Sequence, residues 1–472
     1  MTAASIVDPM FISGASVWPL VEGGKGVAAS NGTSAGAWAA AGGVGTISGV
    51  NADLIDDNGE YVPLVYKGRD RKARHEELVE YSTKGAISQA RIAHELRGGE
   101  GRIHLNVLWE MGGCERVLTG VLEGAKGLIH GVTCGAGMPY RLAEICSRHE
   151  VHYYPIISSA RAFRALWKRT YHKFGDWLGA VVYEDPWRAG GHNGLSNAES
   201  PDQPENPFPR VLELRKMMRE MGLDQIPIVM AGGVWHLKEW MNWIGNKDLG
   251  PIAFQFGTRP LLTQESPIPQ AWKERLLDVT PGAVALHQFS PTGFYSSAVR
   301  NSFLDELYER SERQVAYSDD PSEADGQTMF LPYGRSNHGV YLTPADHARA
   351  TAWMVEGYSQ PMRTPDGTLI FVAPDRARQI RRDQADCMGC LSHCRFSAWK
   401  DRDNYATGHQ PDPRSFCIQK TLQDIAHGRG DPVDNQLMFS GHNAYRFGQD
   451  PFYKGGFIPT VKQLVQRILT GE

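Results

Sequence analysis

The stretch Ile226-Pro-Ile-Val-Met-Ala-Gly-Gly-Val234, followed by Phe254-Gln-Phe-Gly-Thr-Arg259, decides the fold. Each piece is a short apolar run that ends in small residues at a turn. A run of that kind, without polar alternation, reads as a strand buried on both faces, as parallel sheets require. Between the two, Leu237–Ile244 has helical composition, so the whole reads as a strand–helix–strand unit.

The same rhythm continues back toward the N-terminus. Val44–Ser48, Ile103–Leu108, Leu128–Thr133, Tyr153–Ile157 and Leu178–Tyr183 are further strand candidates. The helix candidates are Ser34–Ala41, Ala73–Leu96, Cys114–Glu123, Tyr140–His149, Ala160–Tyr171 and Val211–Glu220. With one more strand expected near Pro19–Val27, the alternation predicts an α/β fold, a TIM-type (β/α)8 barrel, with an open doubly wound sheet as the alternative. Asp53–Asp70 is polar and turn-rich and reads as an insertion. Ser196–Pro209, with four prolines, reads as a loop able to cover a site. Later in the chain the alternation fades, and Val315–Gln327 is acidic and expected to be exposed. The division expected is 1–305 for the barrel and 306–472 for a C-terminal extension.

At 41% hydrophobic and 22% charged residues, with a formal net charge of -4, the chain has no general electrostatics for nucleic acid or membrane surfaces. The basic run Arg376–Arg382 reads as a solvated helix face. No uninterrupted apolar run approaches a membrane span, and the N-terminus has neither a basic start nor an apolar core. A cytoplasmic location is expected, with no membrane or nucleic-acid partner.

Three motifs carry chemistry. Pro19-Leu-Val-Glu-Gly-Gly-Lys-Gly-Val27 and the A-A-A-G-G-V-G-T-I-S-G run ending at Gly49 put glycines after strands. Backbone N–H groups there can approach a flat ring or a phosphate, although tight turns alone explain such glycines equally well. The A-G-G and F-G-T-R turns of the opening stretch read as the late barrel loops that form the phosphate-binding end for a cofactor such as FMN, in preference to two ordinary βα turns. Glu184-Asp-Pro-Trp-Arg-Ala-Gly-Gly-His-Asn-Gly194 sets His192 at the C-terminal end of a strand, where barrel active sites lie. Imidazole exchanges a proton with carbon near neutral pH. A lone histidine is more often a satisfied polar residue; the flanking glycines and the strand end favour catalysis.

In this order the motifs resemble the nitronate monooxygenase (2-nitropropane dioxygenase-like) flavoproteins, a group that includes flavin-dependent enoyl-acyl-carrier-protein reductases on the same barrel. The likeness runs from about Pro19 to Phe303, taking in Gln264–Pro267 (Q-E-S-P) and the S-P-T-G-F-Y segment from Ser290. It implies FMN as cofactor, bound by Gly23, Gly24, Lys25, Asn106, Glu184, Gly190, Gly191, Ala231, Gly232, Gly233, Gln255, Gly257 and Thr258. Of these, Gly232, Gly233, Gly257 and Thr258 would hold the phosphate, and Asn106 would lie near the ring. His192 would be the catalytic base or proton donor. Two reactions follow from the likeness: oxidation of a nitronate-like acid with oxygen, or reduction of an activated C=C bond driven by NAD(P)H or ferredoxin. A small-molecule substrate and a homodimer are the expected partners.

Some positions depart from the family pattern. Lys25 stands where the family often carries Met, and a cation there would favour an anionic reduced flavin. Glu184-Asp185 stands where simpler members often carry Gln and Gly. The Ser290–Phe303 segment keeps Arg300-Asn301 but lacks the arginine usual early in it. Two other readings stay open: a non-catalytic flavin-binding or metal-sensing barrel, and an IMP-dehydrogenase-like barrel. The latter needs a catalytic thiol for which Cys134 could be mistaken; Cys134 reads instead as a small residue beside the flavin.

Cys387, Cys390, Cys394 and Cys417 are the largest departure. Four soft thiols at short, unequal spacing suit a [4Fe-4S] cluster or a structural zinc, and His393 could replace one ligand around zinc. The arrangement resembles the cluster motif of dienoyl-CoA reductases, with a longer final spacing. The odd count of seven cysteines speaks against disulfides.

Overall fold

The computed structural model of the chain describes residues 5–99, 101–320, 328–333, 338–402, 404–430 and 432–471. Eight parallel strands close into a barrel: β1 (Leu20–Glu22), β2 (Val44–Ser48), β3 (Arg102–Leu108), β4 (Gly131–Gly135), β5 (His152–Ile157), β6 (Val181–Glu184), β7 (Ile228–Ala231) and β8 (Ile252–Phe256). Closure runs through β8 against β1, with Phe254 opposite Leu20 and Phe256 opposite Glu22. That closure makes the fold a TIM barrel and removes the open-sheet alternative.

Alternation along each strand divides two cores. In β3, Ile103, Leu105 and Val107 pack under the outer helices, while His104 and Asn106 point to the barrel axis. Inside, residues from the N-terminal parts of the strands, Val21, Val44, Val182, Val229 and Ala253, meet Ile12, Ala15 and Val17 of an N-terminal hairpin. Ser13 at the hairpin's turn shares hydrogen bonds with His104 Nε2 (2.9 Å) and Tyr154 OH (2.5 Å). The hairpin thus plugs the N-terminal end of the barrel and leaves the other end open.

The outer helices begin where their caps predict. Asn31 caps Gly32–Ala40, Asp70 caps Arg71–Arg97 and Ser159 caps Ala160–Arg169, each accepting from a backbone N–H of the first turn. Two expected elements shift. The strand expected at Leu128–Thr133 forms at Gly131–Gly135, because Gly127 turns in the left-handed region (φ +79) and Leu128 is still part of that turn. Leu237–Ile244 yields only a short 3-10 helix, Leu237–Trp240, where Trp240 and Trp243 pack edge to face at 4.8 Å. The insertion at Asp53–Asp70 carries a small hairpin, Leu54–Ile55 with Tyr61–Val62.

After β8 the chain leaves the barrel and later returns to it. Val284–His287 and Ser296–Val299 form a small antiparallel sheet with Gly191–His192. Gln314–Ala316, Gln360–Arg363 and Thr368–Val372 form another. The stretch expected to be acidic and exposed therefore starts as a strand with Val315 buried; residues 321–327 lie outside the described residues. The last helix, Val461–Leu469, packs on Gly32–Ala40 and buries Val461, Leu464, Val465, Ile468 and Leu469 in the barrel's outer core. Its end is tied by a bond from Ile6 N–H to Leu469 O (3.0 Å). The helical layer around the barrel thus draws on residues from both ends of the chain. Among the described residues, no helix is long and apolar enough to cross a membrane.

Candidate active site

The C-terminal ends of the strands open into one cavity of about 480 Å³. Gly23, Gly24 and Lys25 reach it from the end of β1, Asn106 from β3 and Glu184 from β6. Gly190, Gly191 and His192 line it beyond β6. Ala231, Gly232 and Gly233 line it after β7, and Gln255, Gly257 and Thr258 from β8 onward. These residues are far apart in sequence; barrel closure brings them to one rim.

Local backbone explains two of the glycine positions. A Cβ on Gly24 would lie 2.3 Å from the side chain of Asn106, so only glycine lets the end of β1 lie against β3. Gly232 and Gly233 sit at φ +85 and +80, and a Cβ on Gly233 would meet the Arg188 stem at 2.8 Å. This left-handed pair turns the chain sharply at the end of β7. The cavity and its glycine cradle fit a flat cofactor with a phosphate tail.

Lys25 does not stand as a free cation. Its Nζ donates to Glu22 Oε1 (3.0 Å) and to Gly23 O (2.9 Å), and Glu22 also accepts from Ser34 Oγ (3.0 Å). The charge is balanced within the wall of the cavity.

His192 is held by its strand pairing to Ser296 and by a hydrogen bond between Nε2 and Ser290 Oγ (2.6 Å). Ser290 Oγ in turn lies 2.9 Å from Thr292 Oγ1, and the Phe439 ring is 5.4 Å from the imidazole. Burial pushes the His192 pKa down to about 4, so the ring is neutral at physiological pH. His287 is likewise lowered to about 4, first by burial and then by His192. Glu184 moves the other way: burial, then the charge of Asp185, push its carboxyl up to about 8. Asp185 itself is tied to Arg188. The lining of one cavity therefore includes a neutral imidazole and a neutral carboxylic acid. Opposed shifts of this kind are how one site keeps a base and an acid in their working forms at the same pH.

Several contributors were not legible in the motifs. Ser290 orients His192. Ser440, Gly441 and Asn443, far into the C-terminal region, line the cavity beside the late glycine loops. Arg259 of the F-G-T-R motif is buried away from the cavity mouth, donating to Trp235 O (2.6 Å) and facing Asp450 at 3.5 Å. Its role is to hold the C-terminal segment on the barrel. Cys134, read as a neighbour of the flavin, is instead buried in the outer core with Leu142 and Cys146, and the cavity does not include it. The Val-Thr-Cys alternation of β4 sends its side chain to the helices rather than to the axis.

The four clustered cysteines converge on a void of about 10 Å³, lined also by Asp383, Phe396 and Ser397. The His393–Cys394 and Trp399–Lys400 hairpin folds the first three back, and Cys417 precedes the helix Ile418–Ala426. The loop docks on the barrel through Arg74 Nε to Cys387 O (3.2 Å), Gly112 N–H to Cys390 O (2.9 Å) and a bond between His75 Nδ1 and Gly389 O (2.9 Å). All four thiols are free, and Ser397 Oγ donates to Cys387 Sγ (3.1 Å). Among the described residues, no group of three or more His, Cys, Asp or Glu side chains is arranged to hold a metal ion. Neither the expected [4Fe-4S] ligand set nor its zinc alternative is therefore assembled among the described residues, and His393 is exposed, outside the void, so a Cys3His set is not formed either. Cys390 and Ile418 line both the void and the large cavity.

A family model described as nitronate monooxygenase matches residues 116–355, half of the chain. The chain belongs to the nitronate monooxygenase family. Members of this family are flavin-dependent oxidoreductases with FMN as cofactor, and so is this chain. Its fold recurs in the structure of FabK from Thermotoga maritima, at 16% identity, TM-score 0.50, and coverage of 96% of this chain and 92% of that one. The enoyl reductase domain of MlnA from the macrolactin biosynthesis cluster of Bacillus amyloliquefaciens shares it at 12% identity, TM-score 0.52, covering 96% and 93%. A nitroalkane oxidase from Streptomyces ansochromogenes matches at 18% identity and TM-score 0.44, over 61% of this chain and 78% of that chain. No curated protein matches the chain in sequence.

Proposed function

We propose that this family member reduces an activated C=C bond in an apolar, chain-like substrate. The observation that carries the reading is the cavity itself. Beyond the glycine cradle its walls continue through Ile268, Trp272, Leu422, Ile425, Leu437 and Phe439, more apolar lining than a small nitronate would use. The MlnA domain that shares the fold over nearly the full chain is an enoyl reductase, which is consistent with the same use. FMN, when bound, supplies hydride transfer, with NAD(P)H or ferredoxin as the proposed source of electrons. The residues proposed to hold it are those of the glycine rims, with Asn106, Gln255 and Thr258. In the reduction one carbon of the double bond takes a hydride and the other a proton. Glu184, neutral on the rim, is the proposed proton donor, and His192 with Ser290 the group that orients the activating carbonyl or relays the proton. The apolar walls exclude water from both.

A second reading, oxidation of a nitronate-like acid, is favoured by one observation, the neutral imidazole of His192. A neutral base accepts a proton from carbon. Parallel assays decide between the two. NAD(P)H consumption with an enoyl thioester supports the reduction; oxygen uptake with alkyl nitronates, and none with the thioester, overturns it.

The pH dependence follows from the two shifts. Below about 4 the imidazole is charged, and above about 8 the Glu184 carboxyl has lost its proton. The kcat/KM profile is expected to rise as pH rises through about 4 and to fall as it passes about 8. A Glu184→Gln variant should lose the alkaline limb; if the limb stays, another group is the donor.

For the four thiols we propose an iron–sulfur centre held by Cys387, Cys390, Cys394 and Cys417. This rests on their spacing, with its single C-x-x-C, and on their convergence around one void. Such a centre, when bound, supplies single-electron transfer. Anaerobic purification is expected to yield iron and sulfide in equal amounts beside flavin. A yellow protein without iron refutes the centre and leaves the flavin reading standing.

A further inference from the structure

We infer that Ser440, from the C-terminal region and outside residues 116–355, is a binding residue for the phosphate monoester of the cofactor. The inference rests on the FMN reading above. Ser440 is 2% exposed, lines the large cavity, and its buried Oγ has no hydrogen-bond partner in the structure. A hydroxyl excluded from water and unpaired is costly to leave so, and a ligand oxygen in the cavity is the partner its position permits.

The neighbours of Ser440 identify which end of the ligand it meets. Gly441 N–H donates to Thr258 Oγ1 at 2.8 Å. Asn443 Nδ2 donates to Gly233 O at 2.6 Å. A Cβ on Gly190 would come within 2.6 Å of Gly441 N, so the rim beyond β6 also lies against this segment. Ser440–Asn443 is therefore fastened to both late glycine loops, the loops whose backbone suits a phosphate. A phosphate presents charged oxygens, and a hydroxyl donating to one makes a stronger bond than to a neutral acceptor. Asn443 acts as a positioning residue, holding the Gly233 turn in place.

Titration of the full-length apoprotein with FMN and with riboflavin, followed by flavin fluorescence, tests the inference. The two ligands share the ring and ribityl chain and differ only in the phosphate. Ser440→Ala is expected to weaken FMN binding by about 10- to 100-fold, the effect of losing one hydrogen bond to a charged group. Riboflavin affinity stays at the wild-type value, which also shows that the variant is folded. Ser440→Cys, close in shape with a weaker donor, guards against a packing effect of alanine and must show the same selective loss. Equal FMN affinity in wild type and both variants overturns the inference while leaving the FMN reading intact. Equal loss for both flavins overturns it too, because the effect is then not on the phosphate. A wild-type protein that binds no flavin sinks both.

Discussion

His192→Ala is expected to lower kcat/KM by about 100- to 10,000-fold, the range typical for removing a positioned proton-transfer group. The flavin should stay bound, because the proposed cradle is made of backbone at the glycine rims after β1, β7 and β8 and at Gly190 and Gly191, none of which the substitution removes. The size of the effect follows from how the ring is held. Strand pairing to Ser296 fixes its backbone, the bond from Nε2 to Ser290 Oγ fixes the ring rotation, and Phe439 closes one side. A group held on three sides acts without paying orientation entropy at each turnover. Ser290→Ala removes only one of those supports, and a loss of about 2- to 10-fold in kcat is expected from one neutral hydrogen bond. The two variants separate catalysis from support. If His192→Ala retains wild-type turnover of both enoyl thioesters and nitronates, with its absorbance spectrum unchanged, the imidazole has no chemical role.

The barrel was legible because its strands are buried on both faces and so print as unbroken apolar runs. In β3 the axis-facing His104 and Asn106 interrupt the pattern, yet Ile103, Leu105 and Val107 keep it readable. Ends were less legible: one positive-φ glycine at 127 moves the start of β4, an event decided by a single backbone angle. The glycine rims could be read from sequence since close backbone approach demands a particular residue at a particular place. Ser440 could not, and neither could the part played by Ser290, although it heads the S-P-T-G-F-Y segment. A serine in a loop carries no periodic signal, and only the fold shows that one meets His192 and the other faces the cavity. The Cys motif stood out by spacing alone, and the structure adds that its loop is built into the cavity wall through Cys390.

Deleting residues 461–472 is expected to leave no stably folded barrel. The argument is one of area. Val461, Leu464, Val465, Ile468 and Leu469 are all buried, and the helix carrying them covers Gly32–Ala40 on the outside of the strands. Each such side chain contributes about 1.5–3 kcal/mol on burial, so the helix as a whole supplies on the order of 10 kcal/mol. That is comparable to the entire stability of an ordinary domain, about 5–15 kcal/mol. The deletion also strips the partner of Ile6 N–H and bares apolar surface of the barrel core to water. A single Leu464→Ala change should already cost about 2–5 kcal/mol, read as a lower denaturant midpoint with an unchanged slope. The consequence reaches the site, since the segment that returns the chain to this helix carries Ser440 to Asn443 and, through Asp450, the contact with Arg259. A barrel missing its last helix loses the anchor for that segment and with it one wall of the cavity. A protein ending at residue 460 that unfolds at the same denaturant concentration as the full chain, and binds FMN as tightly, would mean that the barrel closes on its own and that the C-terminal helix is an ornament on its surface.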